Sequence, residues 1–365
     1  MSHTGRTPAA VRFPDENHTA FLKGVFPMRR PVFLVLLTLV LLLAAGAACA
    51  DIIKDFTFTP QDHAVDVAFT AQGYDSVTVY YTNKLEKGSL KLKSDDGRFT
   101  GTISVPKTYP GNTVTVTVKS ARGKDLLKKT SVTTALVEIP AVEKAAEGRL
   151  SGVTVCVDPG HQGVPIGLSE PLGPGLSGKH TSTNGQAQGT VTRRKESVVV
   201  LEIGLKLRNA LLLEGADVVM TREDQNTPVT NVHRAEIAND SGAGLFIRLH
   251  CDSSSNKKKR GIHVYIPLGS TYAREVADPK TYRTYGEALF SAMCEATGVT
   301  KGSVIQNNSY VASNWAKMPA FLVEMGYMSN EEDDLLLSTD EYQDALVKGM
   351  VNGLVEAARL RGLIQ

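Results

Sequence analysis

Two histidines and two glutamates in this 365-residue chain stand where a purely structural role explains them poorly. His161 follows the apolar run 153–157 and the Asp158-Pro159-Gly160 stop in "VCVDPGHQG", so it lies just past a strand end. His250 closes the alternating stretch of "GLFIRLHCDSSS" before a serine run, which makes it a second strand-end histidine. Glu324 follows the apolar strand 320–323 in "MPAFLVEMGYMSNEEDD", with Gly326 letting the chain turn. Glu196 heads a helical stretch. Two histidines and a glutamate are a common ligand set for catalytic zinc, which keeps a fourth position for water. A further glutamate near that position can take the water's proton and deliver it to a leaving amine.

The four residues are far apart in sequence and share no local signature such as His-Glu-x-x-His, so the fold must bring them together. Apolar strands at 153–157, 216–220, 245–249, 262–266 and 321–323 alternate with helical patterns at 196–213, 231–241, 279–297 and 340–361. This order predicts an α/β layer fold with a mostly parallel sheet, a class that places ligands beyond the carboxyl ends of its strands. In helix 196–213, Glu196 shares one face with Val199, Val200, Ile203, Leu207, Ala210 and Leu211. A carboxylate at the head of a core-facing stripe is costly unless a cation or buried partner compensates it. The plainer alternative is a first-turn glutamate favoured by the helix dipole.

Ahead of this region, seven segments of alternating character at 52–59, 64–70, 76–82, 88–94, 98–105, 113–119 and 126–134 predict a small all-β, immunoglobulin-like sandwich over 51–135. It shows no constellation of catalytic residue types and reads as a spacer or binding module. Residues 136–149 carry a proline and mixed charge without a period and read as a linker to a domain at 150–365. The stretch 28–50, two arginines and a long apolar run ending in Ala48-Cys49-Ala50, reads as a secretory signal. Retention as a membrane anchor and lipidation of Cys49 are the alternatives. The patternless residues 1–27 read as an upstream mis-start or a disordered leader. A net charge of +2 gives no reason to expect a nucleic-acid partner. Cys156, Cys251 and Cys294 form no Cys-x-x-Cys pair, which argues against a disulfide framework and against a thiolate zinc site.

Residues 150–365 resemble the zinc-dependent N-acetylmuramoyl-L-alanine amidases of bacterial cell walls, the third amidase family. The resemblance rests on four motifs in the family's order: "VCVDPGHQG", "KESVVVLEIGLKLRNALLLEGADVVMTRE", "HRAEIANDSGAGLFIRLHCDSS" and "FLVEMGYMSNEEDD". It implies zinc on His161, Glu196 and His250, with Glu324 as the catalytic carboxylate. It also implies a twisted, mostly parallel sheet of about six strands with helices on both faces, the zinc amidase/phosphorylase-hydrolase-like fold. The substrate would be peptidoglycan, cut between N-acetylmuramic acid and L-alanine by an exported, wall-associated monomer. The competing functions are a zinc peptidase cutting elsewhere in the stem peptide and a non-catalytic wall-binding regulator. The second is disfavoured because all four site residues are present.

Several features stay outside this scheme. The glycine- and proline-rich segment 162–195 reads either as a wall of the substrate groove or as a surface excursion. His180, His233 and His263 read as solvent-facing or structural. Cys251 should point away from its neighbour His250, because successive strand residues face opposite sides. Asp158 reads either as a support for a ligand histidine or as part of the Asp-Pro-Gly turn. The basic run 257–260 reads as a solvated loop or as a contact for wall anions. The acidic run 331–334 reads as a solvated, dipole-favoured helix start, and Arg222 and Arg234 match the family pattern without an assigned role.

Overall fold

The computed structural model describes residues 53–365 except 62–63, 84, 106–108, 121–125, 134–137 and 182–184. The leader expected at 28–50 and the stretch before it lie outside the described residues. Among the described residues, no helix is long and apolar enough to cross a membrane.

Seven strands come first: β1 (Ile53–Gln61), β2 (Ala64–Ala71), β3 (Ser76–Thr82), β4 (Lys87–Lys93), β5 (Arg98–Ser104), β6 (Thr113–Ser120) and β7 (Leu126–Thr133). They pair antiparallel in two sheets, β1-β2-β5 and β4-β3-β6-β7. Strict alternation is the reason. Val65, Val67 and Phe69 of one sheet and Val77, Val79, Val114 and Val116 of the other turn inward onto a shared core.

The remaining elements are β8 (Thr154–Pro159), β9 (Ser169–Pro171), β10 (Lys179–Thr181), α1 (Glu196–Leu213), β11 (Asp217–Met220), α2 (Asn231–Asp240), β12 (Leu245–Asp252), β13 (Ile262–Pro267), α3 (Thr271–Val276), α4 (Pro279–Thr297), β14 (Gly302–Asn307), α5 (Val311–Trp315), β15 (Ala320–Tyr327), α6 (Glu331–Leu336) and α7 (Asp340–Arg361). Six of these strands form one sheet in the order β11-β8-β12-β15-β13-β14. Every neighbouring pair is parallel except β13 with β15.

Both faces of the sheet are covered. Val199, Ile203 and Leu207 of α1, Leu289 and Met293 of α4, and Met350 and Leu354 of α7 pack on Val155, Val157, Ile247, Leu249 and Val323. On the opposite face Ala235 and Ala238 of α2 and Ala312 of α5 pack on Cys156, Phe246 and Ala320. Near-continuous apolar strands are what a sheet buried on both faces requires.

Three local expectations change. Residues 138–149, read as a linker, are docked: Arg208 donates to the Ile139 carbonyl at 2.7 Å, Asn209 donates to that of Pro140 at 2.8 Å, and Lys144 pairs with Asp217 at 2.7 Å. Strand β15 does not stop before Glu324 but runs on to Tyr327, because Met325 and Tyr327 are buried and continue it. The segment 162–195 contains a short β9–β10 hairpin, held by the Trp315 indole N–H donating to the Pro171 carbonyl at 3.0 Å.

Candidate metal centre

The sheet brings three of the four singled-out residues together. One ligand atom from each of His161, Glu196 and His250 lies within 4.8 Å of the other two. His161 Nε2 is 3.2 Å from one Glu196 oxygen and His250 Nδ1 is 3.1 Å from the other. Glu324 joins them through register, since it is paired with His250 on the neighbouring parallel strand and so projects on the same side of the sheet. All four line one cleft of about 560 Å³ at the carboxyl ends of β8 and β12.

Each side chain is held by an identifiable local cause. Glu196 is the first residue of α1, yet the residue before it makes no side-chain cap. Its carboxylate instead accepts backbone N–H bonds from Ala187 at 2.8 Å and Cys251 at 3.0 Å, in addition to its contacts with the two histidines. Inward placement therefore describes it better than a dipole-favoured surface position. Burial alone would raise its pKa, but the hydrogen bonds and charges of His161 and His250 outweigh burial and hold the carboxyl well below the usual range.

His161 occupies the left-handed region at φ +55°, uncommon for a residue with a side chain. Two buried arginines over-determine that conformation. Arg222 donates to the carbonyls of Pro159 and Gly160, each at 2.8 Å, and Arg234 to those of Pro159 and His161, each at 2.9 Å. Gly160 is required for a different reason. A Cβ there would sit 2.3 Å from the His250 ring, so only glycine lets the two histidines approach.

His250 is pushed down to about 4, first by burial and against the pull of Glu196, so it is a neutral donor at neutral pH. Its Nε2 is buried without a hydrogen-bond partner. Glu324 Oε2 is likewise buried and unpartnered. Burial, followed by the negative charges of Glu196 and Asp252, raises the Glu324 carboxyl well above the ordinary range. One imidazole nitrogen from each of His161 and His250 and the ionised carboxylate of Glu196 fit a divalent metal of the zinc type. Ligands about 2.0–2.2 Å from such an ion lie roughly 3.4 Å from one another, close to the two histidine–carboxylate separations.

Sequence reasoning missed the structure beneath the site. Asp158 holds neither a ligand histidine nor a turn. It is fully buried and ion-paired with Arg234 and with Arg248, the latter at 2.8 Å, and it accepts the Thr221 hydroxyl at 2.5 Å. The arginine inside the otherwise apolar "LFIRLH" was the available signal, since an arginine is not buried without a partner. The acidic run does open α6, but only its first half is solvated. Asp333 is buried and accepts the N–H groups of Gly261 at 3.0 Å and Tyr327 at 2.9 Å. Asp334, fully buried, accepts those of Val191 at 2.6 Å and Thr192 at 2.9 Å.

The other histidines among the described residues lie outside the cluster. His180 is exposed on the cleft wall, His233 faces solvent beside Glu236, and His263 is half-buried against Ser303. Residues 162, 164, 166 and 185–188 line the cleft, so the 162–195 segment forms one of its walls. In the basic run, Arg260 is tied to Glu332 and Asp333. Cys251 faces the apolar core on the opposite side from His250, and burial raises its thiol far above the range in which a thiolate forms.

Residues 155–356 match the N-acetylmuramoyl-L-alanine amidase family. The chain belongs to this family of amide-bond hydrolases. It is 30% identical over 234 residues to the N-acetylmuramoyl-L-alanine amidase Rv3717 of Mycobacterium tuberculosis, covering 60% of this chain and 92% of that protein. It is 25% identical over 218 residues to the probable cell wall amidase LytH of Staphylococcus epidermidis, of whose length the match spans 62%. The crystal structures of the N-acetylmuramyl-L-alanine amidases Ami1 from Mycobacterium abscessus and Mycobacterium smegmatis share the fold. Each gives a TM-score of 0.51 at 22% identity, with 57% and 59% of this chain aligned to 99% of each.

Proposed function

We propose that the chain hydrolyses the amide between N-acetylmuramic acid and L-alanine in peptidoglycan, with zinc held by His161, Glu196 and His250 and with Glu324 as the proton-transfer group. The observation that carries this reading is the unpartnered Glu324 carboxyl beside a three-residue metal-type cluster in one cleft. When bound, zinc supplies a Lewis acid for the amide carbonyl and acidifies a water molecule.

The protein's own groups do the remainder. His161, Glu196 and His250 would fix the metal's position, because backbone N–H groups hold the Glu196 carboxylate, Arg234 holds the His161 backbone, and strand pairing and the Glu196 contact hold His250. Glu324, with no competing hydrogen bond on Oε2, accepts the proton of the attacking water and passes it to the departing alanine nitrogen. Burial and the neighbouring negative charges raise its carboxyl above the ordinary range, which makes the carboxylate a stronger base toward the water's proton. The wall formed by 185–188 gives an extended substrate a surface to lie against.

Signal-directed export and a wall-associated monomer complete the proposal, in line with the cell-wall amidases among the relatives. The β1–β7 unit acts as an immunoglobulin-like accessory module. The decisive test is incubation of the zinc-loaded protein with a purified disaccharide-peptide muropeptide, followed by mass analysis. Release of the intact stem peptide from the disaccharide is expected. A cut inside the peptide would make the protein a zinc peptidase, and no turnover with full zinc occupancy would make it a non-catalytic wall binder.

A further inference from the structure

The outward face of the β4-β3-β6-β7 sheet is set apart by its charge. These four strands contain six lysines, no arginine and no carboxylate, whereas β1-β2-β5 balances Lys54 and Arg98 with Asp55 and Asp66. Alternation sends the valines of β3 and β6 inward and leaves Lys87, Lys91, Lys93, Lys119 and Lys129 outward. None of the five is ion-paired among the described residues.

Register orders them into rows. Thr78 lies between Lys91 and Lys119 on its two neighbouring strands, and Thr117 lies beside Lys129. Tyr80 is 39% exposed in the middle of the face, with Lys119 Nζ 5.4 Å from its ring centroid. At ordinary strand spacing the five charges occupy roughly 14 by 20 Å. Neighbours such as Lys91 and Lys93, two residues apart on one strand, lie within about one screening length (~8 Å) at physiological salt, so adjacent charges reinforce each other along the face.

We propose that this face is a docking surface for a linear phosphodiester polymer of polyol or sugar units. Lysine ammonium groups act as point charges that meet phosphate oxygens in any orientation, which suits the repeating phosphates of a mobile extended polymer. Serine and threonine hydroxyls between the lysines donate to phosphate or polyol oxygens, and Tyr80 offers a ring for a sugar face. Charges spread in rows across four strands suit an extended chain better than a compact ligand. A bilayer would call for inserted apolar side chains, and among the described residues of these strands the large apolar groups exposed are Tyr80 and Leu126. The proposal does not depend on the metal-site reading, because the charges lie on strands that contribute nothing to the cleft.

The test titrates fluorescently labelled poly(glycerol phosphate) with the full chain and follows anisotropy. If each of the five lysines neutralises one phosphate, affinity falls about a hundredfold between about 50 and 200 mM salt, by the slope for single-stranded polyanions. Two double variants, Lys91→Thr with Lys119→Thr and Lys87→Thr with Lys93→Thr, should each bind about tenfold more weakly or worse. Lys54→Thr on the other sheet should bind as the parent does. A circular-dichroism spectrum and a thermal melting profile matching the parent's, for all three variants, report that the sandwich is folded whatever the polymer does. The proposal is overturned if both double variants bind like the parent, if polyglutamate binds as tightly as the phosphodiester, if only anionic lipid vesicles bind, or if nothing binds at the lower salt.

Discussion

Strands β1–β7 enclose valines and phenylalanines and bury no charged side chain among the described residues. The six-stranded sheet and its helices bury Asp158, Glu196, Arg222, Arg234, Arg248, Glu324, Asp333 and Asp334. In the first region charge lies outside, where water solvates it and single residues matter little to stability. In the second, charges are concentrated near the carboxyl ends of β8, β12 and β15, where each must be matched by a partner or left deliberately unmatched. Buried charge therefore marks chemistry or its scaffolding in this chain.

Exchanging charges in the two regions should break or sharpen that contrast. The largest effects are expected inside the cleft. Glu196→Ala removes the only carboxylate of the metal-type cluster, so bound zinc by elemental analysis and muropeptide turnover should fall together. Glu324→Gln should keep zinc and lose about 10²- to 10⁴-fold in turnover, the scale of a positioned proton-transfer group. Zinc retained in the first variant and lost in the second would reverse the two roles.

One layer below, Asp158→Ala strands Arg234 and Arg248 without their anion and should cost about 3–5 kcal/mol in urea unfolding. Its pH dependence has a definite sign. Burial would raise the Asp158 carboxyl, but Arg234 and Arg248 hold it far below the ordinary range, so its folded pKa lies under its unfolded value. The stabilisation is complete above about pH 4 and is lost as the pH falls through the folded value. Asp158→Asn should flatten that acid limb, and an unaltered limb would show that the pair contributes nothing net.

Smaller effects are expected where no partner is broken. Cys251→Ser should leave turnover within a few-fold, since the thiol faces the core, while costing roughly 1–3 kcal/mol for the buried hydroxyl. Loss of activity with zinc retained would reinstate a thiol mechanism. On the β1-β2-β5 exterior, Lys54→Thr should shift stability by no more than about 0.5 kcal/mol.

The same contrast explains what could be read from the sequence. Alternation and helical period are local, so strands β1–β7 and the helices α1, α2, α4 and α7 were legible, and the order of strands and helices implied the parallel sheet. His161, His250 and Glu324 stood out as polar residues closing apolar runs, and Glu196 as a carboxylate heading an apolar stripe. Pairing between distant strands was not legible. Nothing local to "FLVEMG" shows that Glu324 lies opposite His250 or that its strand continues past it. The Asp158–Arg234–Arg248 cluster draws on β8, α2 and β12, so no window of sequence contains it. Strand β14 was missed because it is an edge strand with few apolar residues, and β9–β10 because their composition is that of a loop.

The adjacent carboxylates of α6 have a mechanical consequence. Asp333 fastens the start of β13 and the end of β15, while Asp334 fastens the segment that leads into Glu196. A single helical turn thus clasps structures on both flanks of the metal-type cluster, and whatever frays that turn releases them in concert. In native-state hydrogen exchange the amides of Val191, Thr192, Gly261 and Tyr327 would then open as one cooperative unit with a shared opening free energy, although they belong to three separate stretches of chain.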